Sequence, residues 1–185
     1  MGYALAQAAV DAGAVTTLVS GPVNLKAPEQ AGLVTVESAQ QMLKACLDLT
    51  PDCDIFIACA AVADYRPAVI EQQKIKKGAE ELQLTFLRNP DIVTTISGLQ
   101  PRPFTVGFAA ETTGVINYAK DKMQRKGLDM IVANDVSDQA IGFNSDNNAA
   151  TVIWSGGEKA LPCASKANIA AQIIGLIAGQ ISEPG

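Results

Sequence analysis

The chain of 185 residues contains no histidine, and none of its four cysteines belongs to a CxxC pair. Without histidine, nucleophile pairs of the serine–histidine or cysteine–histidine kind and histidine metal sites are excluded. The cysteine spacing does not suggest a zinc site, so we expect buried thiols in a reducing cytoplasm. Any chemistry must therefore use lysine, aspartate, glutamate, asparagine or backbone amides.

Long apolar runs and an excess of positive charge are also missing. The longest apolar run, residues 55–63, is far short of the roughly 20 residues that span a bilayer, and no basic segment of a signal peptide follows Met1. Nineteen acidic and fourteen basic residues give a formal charge of −5, which disfavours nucleic-acid binding. We expect a single cytoplasmic domain, residues 1–185, that binds neither nucleic acid nor membrane.

Helical patterns alternate with apolar strand patterns, which predicts an α/β fold: a Rossmann-like three-layer domain with a mostly parallel sheet and a C-terminal hairpin plus helix. The predicted helices cover residues 1–12, 38–49, 115–126 and 165–180. Asn89-Pro90-Asp91 predicts one more helix start, with asparagine as the N-cap and proline at the first helical position. The predicted strands cover residues 15–20, 34–36, 55–63, 82–87, 104–109 and 129–133, and residues 151–154 and 159–162 predict the hairpin.

Charged residues follow one predicted strand at the end where open parallel sheets bind ligands. Asp64 comes directly after the run of residues 55–63, and Lys74, Lys76 and Lys77 follow on a predicted loop. A cationic loop of this kind can close over a polyphosphate, and an acid beside it suits a metal. The more ordinary interpretation, a solvated lysine run, stays open.

Further polar positions allow two interpretations each. Lys122 and Lys126 share one helix face, where an anion would relieve their repulsion, or Lys126 simply complements the helix C-terminus. The helix start after Asn89 offers free N–H groups to a ligand or is an ordinary cap. Phe108, after a predicted strand, can stack on a base or fill the core, and the polar loop of residues 143–148 needs no function to explain it.

Six segments in this order, CAAVADYR, KIKK, NPDIV, GFAAET, AND and GFNSDNN, resemble the phosphopantothenoylcysteine synthetase family, also called phosphopantothenate–cysteine ligases. The resemblance covers the chain from Met1 to about Gln180. In bacteria such a domain is commonly the C-terminal half of a bifunctional coenzyme A biosynthesis flavoprotein. The other half is a decarboxylase that carries FMN, and we expect neither that half nor FMN in this chain.

The resemblance implies a ligase that joins 4′-phosphopantothenate to cysteine using CTP and Mg²⁺ or Mn²⁺. The substrate carboxylate attacks the α-phosphate of CTP, pyrophosphate leaves, and the cysteine amine then displaces CMP from the acyl-cytidylate. Family members dimerise, so a homodimer is expected, with the hairpin of residues 151–162 and the loop of residues 143–148 as candidate contacts.

By position in these motifs, the resemblance also implies roles for individual residues. Lys74 is the expected catalytic lysine, and Asp64 is the acid at the CTP site and the candidate metal ligand. Asn134 and Asn144 are expected to bind substrate. The residues expected to bind CTP are Ala58, Asp64, Lys74, Pro90, Asp91, Ile92, Val93, Phe108, Lys122 and Lys126.

The beginning of the chain departs from the family pattern. The family has a strand, a turn rich in glycine and serine, an asparagine and an arginine before the first helix, and here none of them precedes Met1. We therefore expect an N-terminally truncated synthetase fold that lacks full activity. Two alternatives stay open: a non-catalytic remnant that binds nucleotide or dimerises, and a generic dinucleotide-binding domain, although the GxGxxG turn it needs is absent.

Overall fold

The computed structural model describes residues 1–75, 82–111, 114–135 and 146–182, which form a three-layer α/β arrangement. The helices are α1 (Gly2–Asp11), α2 (Ala39–Leu49), α3 (Ile92–Ser97), α4 (Val115–Arg125) and α5 (Lys166–Ser182). The strands are β1 (Thr17–Ser20), β2 (Gly32–Thr35), β3 (Ile55–Ala58), β4 (Tyr65–Pro67), β5 (Phe86–Arg88), β6 (Phe104–Glu111), β7 (Met130–Asp135), β8 (Asn147–Trp154) and β9 (Gly157–Ser165). Within these ranges, no helix is long and apolar enough to cross a membrane.

Five strands form the central sheet in the order β3-β6-β7-β8-β9. Neighbours β3, β6 and β7 pair in parallel, and β8 is antiparallel to both β7 and β9, so only β8 runs against the other four. A parallel pair, β1 and β2, and an antiparallel ribbon, β4 and β5, form two smaller sheets. The predicted mostly parallel sheet, the C-terminal hairpin and the helix after it are confirmed.

Successive side chains of a strand point to opposite faces of a sheet, so apolar side chains emerge on both faces of the central sheet, and helices cover both. One face, which includes Val106, Met130 and Val132, packs against α1 and α5. The other face, which includes Ala109 and Ile131, packs against α4. Helices α2 and α3 enclose a third cluster with side chains of β1 and β3. The carboxyl ends of β3, β6 and β7 therefore emerge between two helical layers.

Two strand predictions need correction. The apolar run of residues 55–63 is a strand only as far as Ala58, because Val62 has left the sheet and packs against the cluster between α2 and α3. The strand predicted at residues 82–87 is wrong in its bounds: the strand there is β5, Phe86–Arg88, and it pairs with β4, which no sequence pattern indicated. Apolar residues at these positions therefore pack elsewhere or stay exposed outside the central sheet, and they do not lengthen a strand.

An ion pair joins the starts of β6 and β7, at the edge opposite their carboxyl ends. Asp129 accepts hydrogen bonds from Arg102 at 2.5 and 2.8 Å and from the backbone N–H of Thr105 at 2.7 Å. Burial alone would raise the pKa of Asp129, but these hydrogen bonds outweigh burial and lower it. The Asp129 carboxylate therefore has a structural role, since it joins the starts of β6 and β7.

Candidate functional site

The carboxyl end of β3, an outer strand of the central sheet, lies beside the middle of β6, because Ala58 pairs with Gly107 in the parallel register. Glycine suits position 107, since a Cβ there would come within 2.5 Å of Leu128 Cδ1. Beyond this pair the two chains diverge, one toward Asp64 and the other through Phe108 to the end of β6. Two of the predicted nucleotide contacts, Ala58 and Phe108, therefore lie at one edge of the sheet.

Helix α3 begins beside this edge, and its N-cap is Asp91. The predicted start, with Asn89 as the cap and Pro90 at the first helical position, is wrong. Asp91 Oδ1 accepts a hydrogen bond from the Thr94 N–H at 3.2 Å, and its second carboxylate oxygen lies 2.8 Å from Lys126 Nζ. Burial alone would raise the pKa of Asp91, but the hydrogen bonds from Lys126 and Thr94 outweigh it and lower the pKa.

Lys122 of α4 and Lys126, directly after this helix, were both expected to bind a nucleotide, and both are held near the sheet. Lys122 Nζ donates to the backbone carbonyl oxygen of Phe108 at 2.9 Å, and Lys126 reaches the cap of α3 from the position that follows the helix. The side chain of Lys126 is only 22% exposed. The predicted shared face is thus correct in its geometry, and its two cations contact Phe108 of β6 and the start of α3.

A hydrogen-bonded network holds the loop that carries Asp64. Asn89 Nδ2 donates to the Ala63 carbonyl at 2.9 Å, and the Asn89 backbone N–H donates to the Asp64 carbonyl at 2.8 Å. Arg66 Nη1 donates to Asn89 Oδ1 at 3.2 Å and to the Arg88 carbonyl at 2.6 Å. Sequence reasoning missed these roles because the partners are 22 to 26 residues apart and form no local pattern.

Asp64 precedes β4 in the sequence and Lys74 follows it, and both side chains are exposed. Over the described ranges, no group of three His, Cys, Asp or Glu side chains could hold a metal ion. Because Mg²⁺ is often bound by one or two carboxylates together with substrate phosphates, Asp64 alone fits an ion that arrives with a triphosphate. Lys76, Lys77 and Asn144 lie outside the described residues.

Phe108 and Asn134 lie on the opposite face of the sheet from Lys122 and Lys126. The Phe108 ring is half-buried against the core under α1 and α5. Asn134 is opposite Ala110 in the β6–β7 register, so alternation directs it to the same face. Asn134 Oδ1 and, on β8, Asn148 Nδ2 are buried atoms with no hydrogen-bond partner within the part of the chain that the structure describes. Such groups cost about 1–3 kcal/mol each, which marks them as ligand candidates.

The cysteines do not take part in this geometry as nucleophiles. Cys59, directly after β3, lies near the start of α1, where a Cβ on Gly2 would be 3.9 Å from its own Cβ. Burial raises the pKa of Cys59 and raises that of Cys46 to about 11. The expectation of buried thiols is confirmed only for Cys46: Cys53 and Cys59 are partly buried, and Cys163, on the outer strand β9, is exposed.

Comparison with known proteins agrees with this architecture. Residues 1–180 match the family model described as the DNA/pantothenate metabolism flavoprotein C-terminal domain. The coenzyme A biosynthesis bifunctional protein CoaBC of Vibrio vulnificus is 54% identical over 177 residues, which are 94% of this chain and 44% of that protein. The chain therefore spans about half the length of this curated relative.

Solved structures show the same fold. The crystal structure of the C-terminal domain of a CoaBC protein superposes with a TM-score of 0.83 and 35% identity, covering 99% of this chain and 83% of that one. A Cab2 mutant in complex with phosphopantothenate-cysteine superposes with a TM-score of 0.61 over 82% of this chain and 53% of its own. At 17% identity, the second likeness concerns the fold alone.

Proposed function

We propose that this chain, which belongs to the family of the DNA/pantothenate metabolism flavoprotein C-terminal domain, joins 4′-phosphopantothenate to cysteine in coenzyme A biosynthesis. The observation that carries the proposal is that Lys122, Lys126 and the start of α3 lie near the place where the carboxyl end of β3 meets the middle of β6. The coenzyme A role of the relatives supports the pathway, and the Cab2 complex indicates that this fold accommodates such a product.

The nucleotide is CTP, bound on the α3–α4 side of the sheet edge. An ammonium group has three N–H donors, and Asp91 takes one from Lys126, so the same lysine can also reach a phosphate. The N–H groups of Ile92 and Val93 open helix α3 and have no acceptor within the helix. They can donate to the ring acceptors of cytosine. Both oxygens of Asp91 are engaged, so its role is to hold Lys126 and the helix start in place.

The acid substrate lies on the α1–α5 side of the same edge. The buried pair Asn134 Oδ1 and Asn148 Nδ2 offers one acceptor and one donor, which complement the N–H and C=O of the amide in 4′-phosphopantothenate. The ring of Phe108 covers the core beside them. In this arrangement the substrate carboxylate meets the α-phosphate over the sheet edge, where Ala58 and Gly107 pair.

The reaction proceeds in two substitutions. A carboxylate oxygen forms a bond to the α-phosphorus, the bond to the bridging oxygen breaks, and pyrophosphate leaves with the electron pair. The cysteine nitrogen then attacks the acyl carbon, CMP leaves, and the nitrogen loses its proton to water. Neither step needs a histidine, because orientation and charge neutralisation by Lys74, Lys122 and Lys126 lower the barrier. Magnesium, held with the triphosphate by Asp64, would supply further charge neutralisation.

The working unit is proposed to be a cytoplasmic homodimer, with Mn²⁺ able to replace Mg²⁺. FMN is proposed to bind only to a decarboxylase half, of the kind that the name of the bifunctional relatives suggests. CTP specificity follows from backbone groups at the start of α3 and needs no dedicated charged side chain for the base.

The test separates the first half-reaction from turnover. The chain is incubated with CTP, Mg²⁺ and 4′-phosphopantothenate in the absence of cysteine, and pyrophosphate is measured; ATP replaces CTP in a parallel sample. We expect a burst of pyrophosphate with CTP only, and CMP turnover after cysteine is added. Replacing Lys74 by Gln should slow the burst about 100-fold or more. Lys44→Gln is the matched control, because Lys44 is also an exposed lysine but lies on α2.

Each result decides between the open alternatives. Pyrophosphate release that requires the acid supports the ligase. CTP binding in a calorimeter without pyrophosphate release would instead support a non-catalytic nucleotide-binding domain. A burst that is equal with ATP would contradict base recognition by the start of α3 and leave the ligation chemistry standing.

A further inference from the structure

Arg66 is not among the residues that the sequence assigned to the site, yet it reaches from β4 to the end of the paired strand β5. Its Nη1 atom donates to the Arg88 carbonyl oxygen at 2.6 Å and to Asn89 Oδ1 at 3.2 Å. Nη1 carries two hydrogens, so both bonds can form at once. Arg66 is partly buried, and none of the ion pairs between described residues includes it. Hydrogen bonds to neutral oxygens therefore fix its position.

The hydrogen bonds of Arg66 close a ring with the loop that precedes β4. Asn89 accepts from the guanidinium on its side-chain oxygen, and its Nδ2 donates to the Ala63 carbonyl oxygen at 2.9 Å. The Asn89 backbone N–H donates to the Asp64 carbonyl oxygen at 2.8 Å. The chain leaves this ring after Asp64 along β4 and returns to it along β5. One asparagine thus ties the loop of Asp64 to the ribbon of β4 and β5, and one arginine holds that asparagine.

The ring lies between the two parts of the proposed nucleotide site. On one side is Asp64, the expected metal ligand. On the other side, Pro90 connects Asn89 to Asp91, the cap of α3. The carboxylate of Asp91 in turn holds Lys126 at 2.8 Å. Because proline fixes its own φ and restricts the residue before it to extended conformations, this connection is stiff. A displacement of Asn89 therefore changes the distance between Asp64 and the start of α3.

We propose that Arg66 is a positioning residue of the ligase reaction: by holding Asn89, it fixes where Asp64 stands relative to the start of α3. The inference rests on the proposed function and on Asp64 as the ligand of a magnesium ion that arrives with the triphosphate. It gives Arg66 no contact with a substrate. Residues that orient a metal ligand in this way change metal affinity or activity about 10- to 100-fold when they are replaced.

A direct contact between Arg66 and the triphosphate is the rival explanation. Nε and Nη2 of Arg66 have no acceptor within the described ranges, so their hydrogens can meet phosphate oxygens. The two explanations use different atoms of the guanidinium. Positioning needs two hydrogens on one nitrogen, which a lysine ammonium also offers, whereas bidentate binding of a phosphate is a property of arginine. Arg66→Lys should therefore keep most of the function under positioning and lose it under direct contact.

The first experiment measures the pyrophosphate burst with CTP and 4′-phosphopantothenate over a range of Mg²⁺ concentrations. In Arg66→Met the Mg²⁺ concentration that gives half the maximal rate should rise about 10- to 100-fold, and high Mg²⁺ should restore most of the rate. Arg88→Met is the matched control, because Arg88 is an exposed arginine of β5 that enters the ring only through its backbone carbonyl. An unchanged Mg²⁺ dependence of Arg66→Met, or an Arg66→Lys variant as impaired as Arg66→Met, overturns the inference.

A double-mutant cycle tests whether Arg66 acts through Asn89. If it does, the variant that combines Arg66→Met with Asn89→Ala should be no slower than Asn89→Ala alone, because the hydrogen bond between the two side chains can be lost only once. Independent effects would instead multiply. A double variant whose rate falls by the product of the two single effects would show that Arg66 acts on the reaction without Asn89, which contradicts the inference.

Hydrogen exchange without nucleotide or metal provides a readout that needs no activity. The Asn89 amide, which is bonded to the Asp64 carbonyl oxygen, should exchange faster in Arg66→Met than in the unmodified chain, Arg66→Lys or Arg88→Met. Amides of β7 should exchange equally in all four, which shows that the variants are folded. An unchanged Asn89 amide in Arg66→Met overturns the inference. If the unmodified chain releases no pyrophosphate, the ligase proposal fails, and the exchange result still decides whether Arg66 holds the loop of Asp64.

Discussion

Lys126 is the residue at which stability and nucleotide binding can best be separated. Its ammonium lies 2.8 Å from Asp91, with 22% and 49% of the two side chains exposed. A partly exposed ion pair of this kind contributes less than about 1 kcal/mol to the free energy of unfolding. A hydrogen bond to a charged group such as a phosphate contributes about 1.5–3 kcal/mol to binding. Lys126→Met should therefore affect CTP affinity more than stability.

Loss of the hydrogen bond between Lys126 and a phosphate should raise the Kd for CTP about tenfold to a hundredfold. The midpoint of thermal unfolding should fall by no more than about 4 °C, because 1 kcal/mol shifts a domain of this size by about 2–4 °C. Calorimetric titration with CTP and Mg²⁺ measures the first quantity, and a thermal melt without nucleotide measures the second.

Lys120→Met is the matched control, since Lys120 lies on α4, the helix that Lys126 follows, and pairs at 2.7 Å with Glu158 of β9, the strand at the far side of the sheet from β3. It should lose a similar ion pair and keep the CTP affinity of the unmodified chain. Asp91→Asn adds a second control, because asparagine caps a helix well and frees Lys126. Equal Kd values for Lys126→Met and the unmodified chain would refute the nucleotide role of this lysine.

Two further predictions concern stability. Because the pKa values of Asp129 and Asp91 are lowered in the folded state, both carboxylates stabilise the fold above the ordinary carboxyl pKa of about 4, and this stabilisation is lost as the pH falls through the lowered values. The free energy of unfolding of Asp129→Asn, measured with urea, should therefore fall less at acid pH than that of the unmodified chain. Gly107→Ala brings a Cβ within 2.5 Å of Leu128 Cδ1 and should cost about 1–3 kcal/mol, partly restored by Leu128→Ala; an unchanged urea midpoint for the single variant would count against that contact.

Local signals in the sequence predicted the elements that depend on local geometry. The helix predicted over residues 115–126 is α4, and Gly127 follows it with a φ of 59°, a left-handed conformation that glycine adopts readily. The hairpin around Gly156, with a φ of 90°, is also confirmed, although its strands are longer than predicted. The backbone conformation at these two glycines depends on the residue type at the turn, which can be read from a single sequence.

Candidate site residues could be named from the sequence, but their contacts could not. Spacing places Lys122 and Lys126 on one helix face, yet no pattern shows that one binds the Phe108 carbonyl and the other binds Asp91. Alternation in β6 was also insufficient to assign Phe108 to the α1–α5 face, because the faces are defined only once the helices are packed. Tertiary contacts of this kind depend on the whole fold.

Asn89 illustrates the same limit and provides a test of it. If Asn89 were the cap of α3, Asn89→Ala would destabilise that helix by about 1 kcal/mol. In the structure Asp91 is the cap, and the Asn89 side chain instead bridges the Ala63 carbonyl and Arg66. Asn89→Ala should therefore release the loop of Asp64, and lower the rate of pyrophosphate release more than it lowers stability.

Asn89→Asp separates the two hydrogen bonds, because aspartate keeps an acceptor for Arg66 and loses the N–H donor to Ala63. Its rate should fall to nearly that of Asn89→Ala if the bond to Ala63 positions the loop. Asp91→Ala is the comparison, since it removes the true cap and should lower the urea midpoint more than either change at Asn89. A larger loss of stability from Asn89→Ala than from Asp91→Ala would show that the helix begins where the sequence alone suggested.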